Sequence, residues 1–207
     1  MIKEPMLQAE LETATHFAQC EEYRYFDLYC EEISGKQLNN KSIEFNGCIF
    51  KKVDFSRMNM DHSCFVDCHF IRCDFSNADL NTSLFRRVRM EHCNLIGVDC
   101  SRSIFQDFQM IESQANYSNF SFGEFKDIAF NYIHFDESSF NNCKFKDVFL
   151  KQCSFVECEF LHAPLKDIDF SDSEIDGIQL SGLELKGIIV NEYQAVKLSK
   201  ILGICIK

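Results

Sequence analysis

The sequence predicts an all-β coil, a β-helix of five-residue repeats that takes up most of the chain and ends in a short C-terminal helix. Three observations predict it. An apolar residue recurs at every fifth position from Phe45 to Val190. A column of mostly small residues runs two positions earlier. The 207 residues include only 8 Gly and 2 Pro, too little punctuation for many separate elements joined by long loops.

The first column has 30 positions, all apolar, and 17 are Phe. In a chain that is 46% hydrophobic, chance would produce this about once in 10^10, so the repeat is real. The second column runs Ile43, Cys48, Val53, Met58, Ser63, Cys68, Cys73 and onward to Ile188, without a charge. It holds seven of the 12 cysteines: Cys48, Cys68, Cys73, Cys93, Cys143, Cys153 and Cys158. The other three positions of each repeat are mostly polar. A period of five suits neither a 3.6-residue helix nor a flat alternating strand. It suits a coil whose short sides each point two residues inward, one large and one small. Coils then stack at about 4.8 Å and pair their backbones, so that only the two ends carry open edges.

Segments such as Cys73-Asp74-Phe75-Ser76-Asn77 and Ala78-Asp79-Leu80-Asn81 carry a motif of a small residue, Asp or Asn, then Leu or Phe. In this the chain resembles the pentapeptide-repeat family, without interruption over residues 43–192. The resemblance implies four repeats per coil and hence a right-handed quadrilateral β-helix. The tail, Gly187-Ile188-Ile189-Val190-Asn191-Glu192-Tyr193-Gln194-Ala195 with Leu198 and Leu202-Gly203-Ile204, is similar to the C-terminal module of the Qnr group. That likeness implies a homodimer joined tail to tail through Tyr193, Ala195, Val196, Leu198, Leu202, Ile204 and Ile206. It further implies a DNA mimic that binds type II topoisomerases, DNA gyrase or topoisomerase IV, and protects them from quinolones. Residues 192–202 suit an amphipathic helix, Gly203 suits its stop, and Ile204-Cys205-Ile206 suits a short strand. Loops that interrupt the repeat in some Qnr proteins have no counterpart here, since the five-residue register never slips.

The expected organisation is an N-terminal cap and degenerate coil over 1–42, the β-helix over 43–192 and a dimerisation module over 193–207. Within 1–42, Tyr23, Leu28, Ile33 and Leu38 also recur every five residues, offset by two from the later column. Residues 6–17 suit a short capping helix. Phe108 in the small column and Ala115 in the large one fall in one coil, so the ring is expected to fill the volume that Ala115 leaves.

The formal net charge is -11. It argues against nucleic acid or an anionic membrane as a direct partner and permits a basic protein partner. Sorted onto four sides, the charge is uneven. The side centred on 55, 75 and 95 carries -6 and the next, centred on 60, 80 and 100, carries -3; the other two carry -1 and 0. The acidic strip comprises Asp54, Asp61, Asp74, Asp79, Asp99, Asp136, Glu137, Glu157, Glu159, Glu174 and Asp176. A narrow rod with such a stripe suits a cationic groove built for duplex DNA. The alternative is an interaction scaffold with a non-topoisomerase partner, using the less acidic sides and their outward Ile49, Ile71, Ile104, Ile111 and Phe149. Solvated charge also keeps any repeat rod soluble.

No catalytic constellation is visible, and the expectation is a non-enzyme without cofactor or metal. None of the six His falls in a zinc pattern. Cys48 and Cys68, like Cys73 and Cys93, should stack in adjacent coils with parallel Cβ vectors, which disfavours a disulfide. No apolar run of about 18 residues suggests a membrane span. The N-terminal segment lacks a signal-like apolar stretch, so the expected location is the cytoplasm, with reduced thiols.

Overall fold

A computed structural model describes residues 2–17, 22–38 and 42–205. The chain winds as a right-handed parallel β-solenoid of about seven turns. The pairing register gives the number of sides. From β2 onward Cα partners are offset by 20 residues, as in Phe65 with Phe85, Phe85 with Phe105, and Phe105 with Phe125. Four five-residue repeats therefore complete one coil.

Two sides form a continuous sheet, centred on Phe45, Phe65 and Phe85 (side one) and on Phe50, Phe70 and Met90 (side two). Its strands are β1 (Glu12–Ala14), β2 (Arg24–Phe26), β3 (Leu28–Glu31), β4 (Glu44–Asn46), β5 (Ile49–Lys51), β6 (Cys64–Ile71), β7 (Leu84–Glu91), β8 (Ile104–Ile111), β9 (Glu124–Asn131) and β10 (Lys144–Lys151). From β6 on, each strand spans both sides. Sides three and four, centred on Phe55 and Met60 and their successors, pair through single bridges. Those of side three run through Asp54, Asp74, Asn94 and Gln114. The corner residue of nearly every repeat takes a left-handed backbone although it is seldom glycine: φ is 57° at Arg57, 53° at Asp67 and 60° at Tyr117. The strained conformation turns the corner amide along the rod, where Arg57 N donates to Ser76 O at 2.8 Å and Tyr117 N to Asp136 O at 2.9 Å.

Phenylalanines fill the interior. Rings one coil apart stack: Phe50 on Phe70 at 4.8 Å, Phe85 on Phe105 at 4.9 Å and Phe140 on Phe160 at 5.1 Å, within about 11° of parallel. Rings on adjacent sides meet edge to face, as Phe65 does Phe70 at 5.9 Å. The small column does more than spare volume. Ser63, Ser83 and Ser103 hydroxyls each accept the backbone N–H 20 residues earlier, at 2.9 to 3.0 Å. Ser103, Ser118 and Ser138 donate to the carbonyls of Leu80, Leu95 and Ala115. Cysteine thiols do the same more weakly, as Cys68 Sγ does to Phe45 O at 3.5 Å. Buried main-chain groups that the ladder leaves over are thus satisfied by side chains.

The structure corrects the reading of the N-terminal region. Residues 6–17 are not helical; they include β1, which pairs with β3. Phe17 closes the core's end, its ring within 5.6 to 6.3 Å of Tyr25, Phe45, Phe50 and Phe55. The repeat keeps its register back to Arg24, and only β1 departs, pairing with β3 at an offset of 16. Tyr25 pairs with Phe45 and Cys30 with Phe50 at the usual 20-residue offset. Tyr23, Leu28, Ile33 and Leu38 are large residues in the small column, and Gly35 sits in the large one. A Cβ on Gly35 would lie 2.6 Å from the Phe55 ring. The degenerate coil expected within 1–42 is therefore in register with the coils that follow, not offset by two.

Residues 2–8 form a strap along the corner between sides one and two. Met6 N donates to Asp67 Oδ1 at 2.9 Å and Lys3 N to Asp107 Oδ1 at 3.1 Å. Glu4 meets Gln109 Nε2 at 2.9 Å. Arg87 clamps Asp67 from below with two bonds of 2.6 Å.

At the other end the sheet stops at β10. Cys64, Leu84, Ile104, Glu124 and Lys144 each donate their amide to the carbonyl 21 residues earlier. The next in that series is Pro164, which has no N–H to give. The helix α1 (Glu192–Ser199) then caps the rod; residues 200–203 continue as turns and 204–205 are irregular rather than the expected strand. Ile206 lies outside the described residues.

Candidate partner-binding surface

The repeat places the acidic residues by position. Asp54, Asp74, Asp79 and Asp99 precede the inward large residue. Each carboxylate accepts the backbone N–H two residues on: Ser56 N at 2.9 Å, Ser76 N at 2.8 Å, Asn81 N at 3.1 Å and Ser101 N at 2.9 Å. This is the local turn bond that Asp makes readily. The Ser56 hydroxyl and amide also hold the Asp54 carboxyl below the usual carboxylate range. Asp54 stacks over Asp74, and Asp79 over Asp99, in successive bridges. Asp61 contacts the His62 ring at 2.9 Å. These half-buried carboxylates build the turns of sides three and four as well as charging them.

The C-terminal half is different. Asp136, Glu137, Glu157, Glu174 and Asp176 share side three and its corner, and all but Asp136 are exposed. Asp136 accepts from Val156 N at 3.1 Å and from the Ser154 hydroxyl. Asp176 is bridged by Lys197 of α1 at 2.7 Å. Glu137 raises the pKa of the Tyr117 hydroxyl by accepting its hydrogen bond. Glu159, on side four, takes Asn141 Nδ2 at 2.6 Å. The Glu157 and Glu174 carboxylates engage no hydrogen-bond or ion-pair partner among the described residues. The structure thus brings the expected strip together on two adjacent sides, and its outermost carboxylates lie toward the C-terminal end.

At that end, α1 is pinned by its own sequence. Asn191 and Gln194 form a reciprocal cap at 3.0 and 2.9 Å. Gln194 Nε2 also donates to Phe170 O and Ser173 O at 2.9 and 2.7 Å, which closes the last coil. Of the residues expected to join two subunits, Leu198 turns inward instead and is buried in the core. Tyr193, Val196, Leu202 and Ile204 are exposed, Tyr193 by 76%, and Ala195 is exposed beside them. One apolar face of the helix and its following turn is therefore open to solvent. Among the scaffold candidates Ile104 and Phe149 are well exposed, whereas Ile49, Ile71 and Ile111 are half-buried.

Sequence reasoning missed the strap, since its partners lie 61 and 104 residues away. It also missed the break at Pro164, for which the proline itself was a readable signal. Among the described residues no cluster of three or more potential metal ligands occurs, and no helix is long and apolar enough to cross a membrane.

No curated protein matches the chain. Two of the similar solved structures are HetL, a pentapeptide repeat protein involved in heterocyst differentiation regulation from the cyanobacterium Nostoc sp. strain PCC 7120, and trypsin-treated QnrB1, a plasmid-mediated fluoroquinolone resistance protein. HetL is 12% identical with a TM-score of 0.45, covering 83% of this chain and 90% of its own. QnrB1 is 15% identical with a TM-score of 0.45, covering 87% and 99%. At these values the likenesses add nothing to the assignment of the family. The family profiles carry it: a pentapeptide repeat region matches residues 123–199 and pentapeptide repeats match 43–77 and 63–99. With the 20-residue coil and the inward Phe column, they show that the chain belongs to the pentapeptide-repeat family.

Proposed function

We propose that the protein is a non-enzymatic, cytoplasmic DNA mimic that docks in the DNA-binding groove of a type II topoisomerase, DNA gyrase or topoisomerase IV, and protects it from quinolones. The observation that carries this reading is the segregation of the acidic side chains onto sides three and four, with Glu137, Glu157 and Glu174 outermost. A rigid rod with one negative flank meets a cationic groove by the electrostatics that duplex DNA uses. The open apolar face of Tyr193, Val196, Leu202 and Ile204 supports a tail-to-tail homodimer, which brings the two acidic C-terminal halves together across the centre.

The test is gyrase supercoiling in the presence of a fluoroquinolone, with the protein titrated in. Rescue near one dimer per enzyme is expected. Inhibition without rescue keeps the mimicry and removes the protection. No effect on gyrase or topoisomerase IV overturns the reading. The exposed Ile104 and Phe149, on the two nearly neutral sides, favour a second reading, a scaffold for an unrelated partner. Its binding would be insensitive to salt and to competing DNA.

A further inference from the structure

The ladder between successive coils has a gap beside β10. Within the coil that contains β10, Phe155, Glu157 and Phe160 on sides three and four each donate their amide to the carbonyl 19 residues ahead, at 2.7 to 2.8 Å. On sides one and two, no backbone hydrogen bond or bridge joins residues 144–151 to 164–171 among the described residues. Pro164 accounts for the start of the gap. The edge of an eight-residue strand therefore faces a cleft of about 340 Å3, lined by Phe145 to Phe149 on one wall and by Pro164 and Lys166 to Ile168 on the other. The cleft reaches the core. One coil earlier Phe125, Ile128 and Phe130 are at most 3% exposed. Their successors Phe145, Val148 and Leu150 are only half-buried, and Phe149 at the lip is 60% exposed.

An unpaired strand edge is complementary to an extended backbone, and the same corner of the rod already carries one. The chain's own strap lies on it, with Met6 N on Asp67 and Lys3 N on Asp107. Asp67 and Asp107 are two coils apart, about 9.6 Å, and three residues of extended chain span about 10 Å. Asp147 stands two further coils along the same corner, at the mouth of the cleft. Lys146 and Lys166 flank it, Lys166 lying 3.8 Å from Asp167 on the same wall, as Arg89 flanks Glu4 of the strap at 3.4 Å.

We propose that the cleft between β10 and residues 164–168 is a docking site for an extended peptide segment of another protein. The segment places an apolar side chain against Phe145, Val148 and Phe149, an acidic side chain on Lys146 or Lys166, and a backbone amide on Asp147. This surface lies on the sides opposite the acidic strip, so it stands or falls independently of the topoisomerase reading.

The experiment is selection of a displayed random-peptide library on the immobilised full chain. Enriched peptides are then synthesised and titrated against the wild type, Phe149→Ser and Lys166→Glu. Both side chains are exposed, and matched thermal melts confirm that the variants fold. Enriched peptides should combine apolar and acidic residues, lose about tenfold or more in affinity on either variant, and slow amide exchange within 144–151. Failure to enrich peptides over the bare support overturns the proposal. So do peptides that bind both variants as tightly as the wild type and leave exchange in 144–151 unchanged.

Discussion

Replacing Arg87 by leucine removes the partner of a buried carboxylate. Asp67 is 4% exposed, and Arg87 Nε and Nη2 reach its two oxygens at 2.6 Å each. Burial alone would push this carboxyl up. The Arg87 hydrogen bonds, the Met6 amide and the charges of Arg87 and Arg86 outweigh it and hold the pKa below the usual carboxylate range. Breaking such a pair from one side costs about 3–5 kcal/mol, a large part of a typical stability of about 5–15 kcal/mol. The pH dependence then identifies the cause. In the wild type the Asp67 contribution is complete above the unfolded value of about 3.9 and is lost as pH falls through the lower folded pKa. In the variant, burial without a partner raises the folded pKa. The penalty is then full at neutral pH and is relieved as pH falls through that raised value toward the unfolded one. Urea unfolding of both proteins at neutral and acidic pH should show a gap that narrows on acidification. A loss below about 1 kcal/mol at neutral pH, where only exposed pairs are worth so little, or a gap that stays constant with pH, refutes the reasoning.

Ala115 is fully buried, so Ala115→Phe should overpack and cost about 1–3 kcal/mol; a melting temperature at or above wild type contradicts this. Burial pushes the thiols of Cys30, Cys143 and Cys158 up to about 12, whereas Cys205 is exposed. A thiol reagent at mildly alkaline pH should therefore modify Cys205 at once and these three only in denaturant, read by mass spectrometry of peptides. The double variant Tyr193→Asp with Leu202→Asp should run at the chain mass of 24.1 kDa in light scattering, and the wild type at twice that. A monomeric wild type removes the dimer.

The repeat was legible because the coil repeats its demands every five residues. A buried Phe and a small residue recur wherever the backbone points inward, and Phe45, Phe65, Phe85 and Phe105 sit in the places that the columns predict. The acidic flank was legible for the same reason once four sides were assumed. The left-handed corners were not, because Arg57, His62 and Tyr117 hold them in place of glycine and the inter-coil hydrogen bonds offset the strain. Nor was the N-terminal coil, where large and small residues exchange columns. Tyr23 and Leu28 read as a shifted repeat although Tyr25 and Cys30 keep the register. Leu198 looked like one more apolar residue on the face of a helix, and only packing against the last coil shows that it caps the core.

The central claim, that the acidic flank is the docking surface, is tested most directly by gyrase binding at increasing salt for the wild type and for the triple variant Glu137→Lys, Glu157→Lys, Glu174→Lys. These three side chains are exposed and hold no turn together, so the fold should survive. The account predicts wild-type binding that weakens steeply with salt and is displaced by duplex DNA, and a triple variant that no longer binds. Unchanged binding by the triple variant, with no salt dependence in either protein, would contradict it.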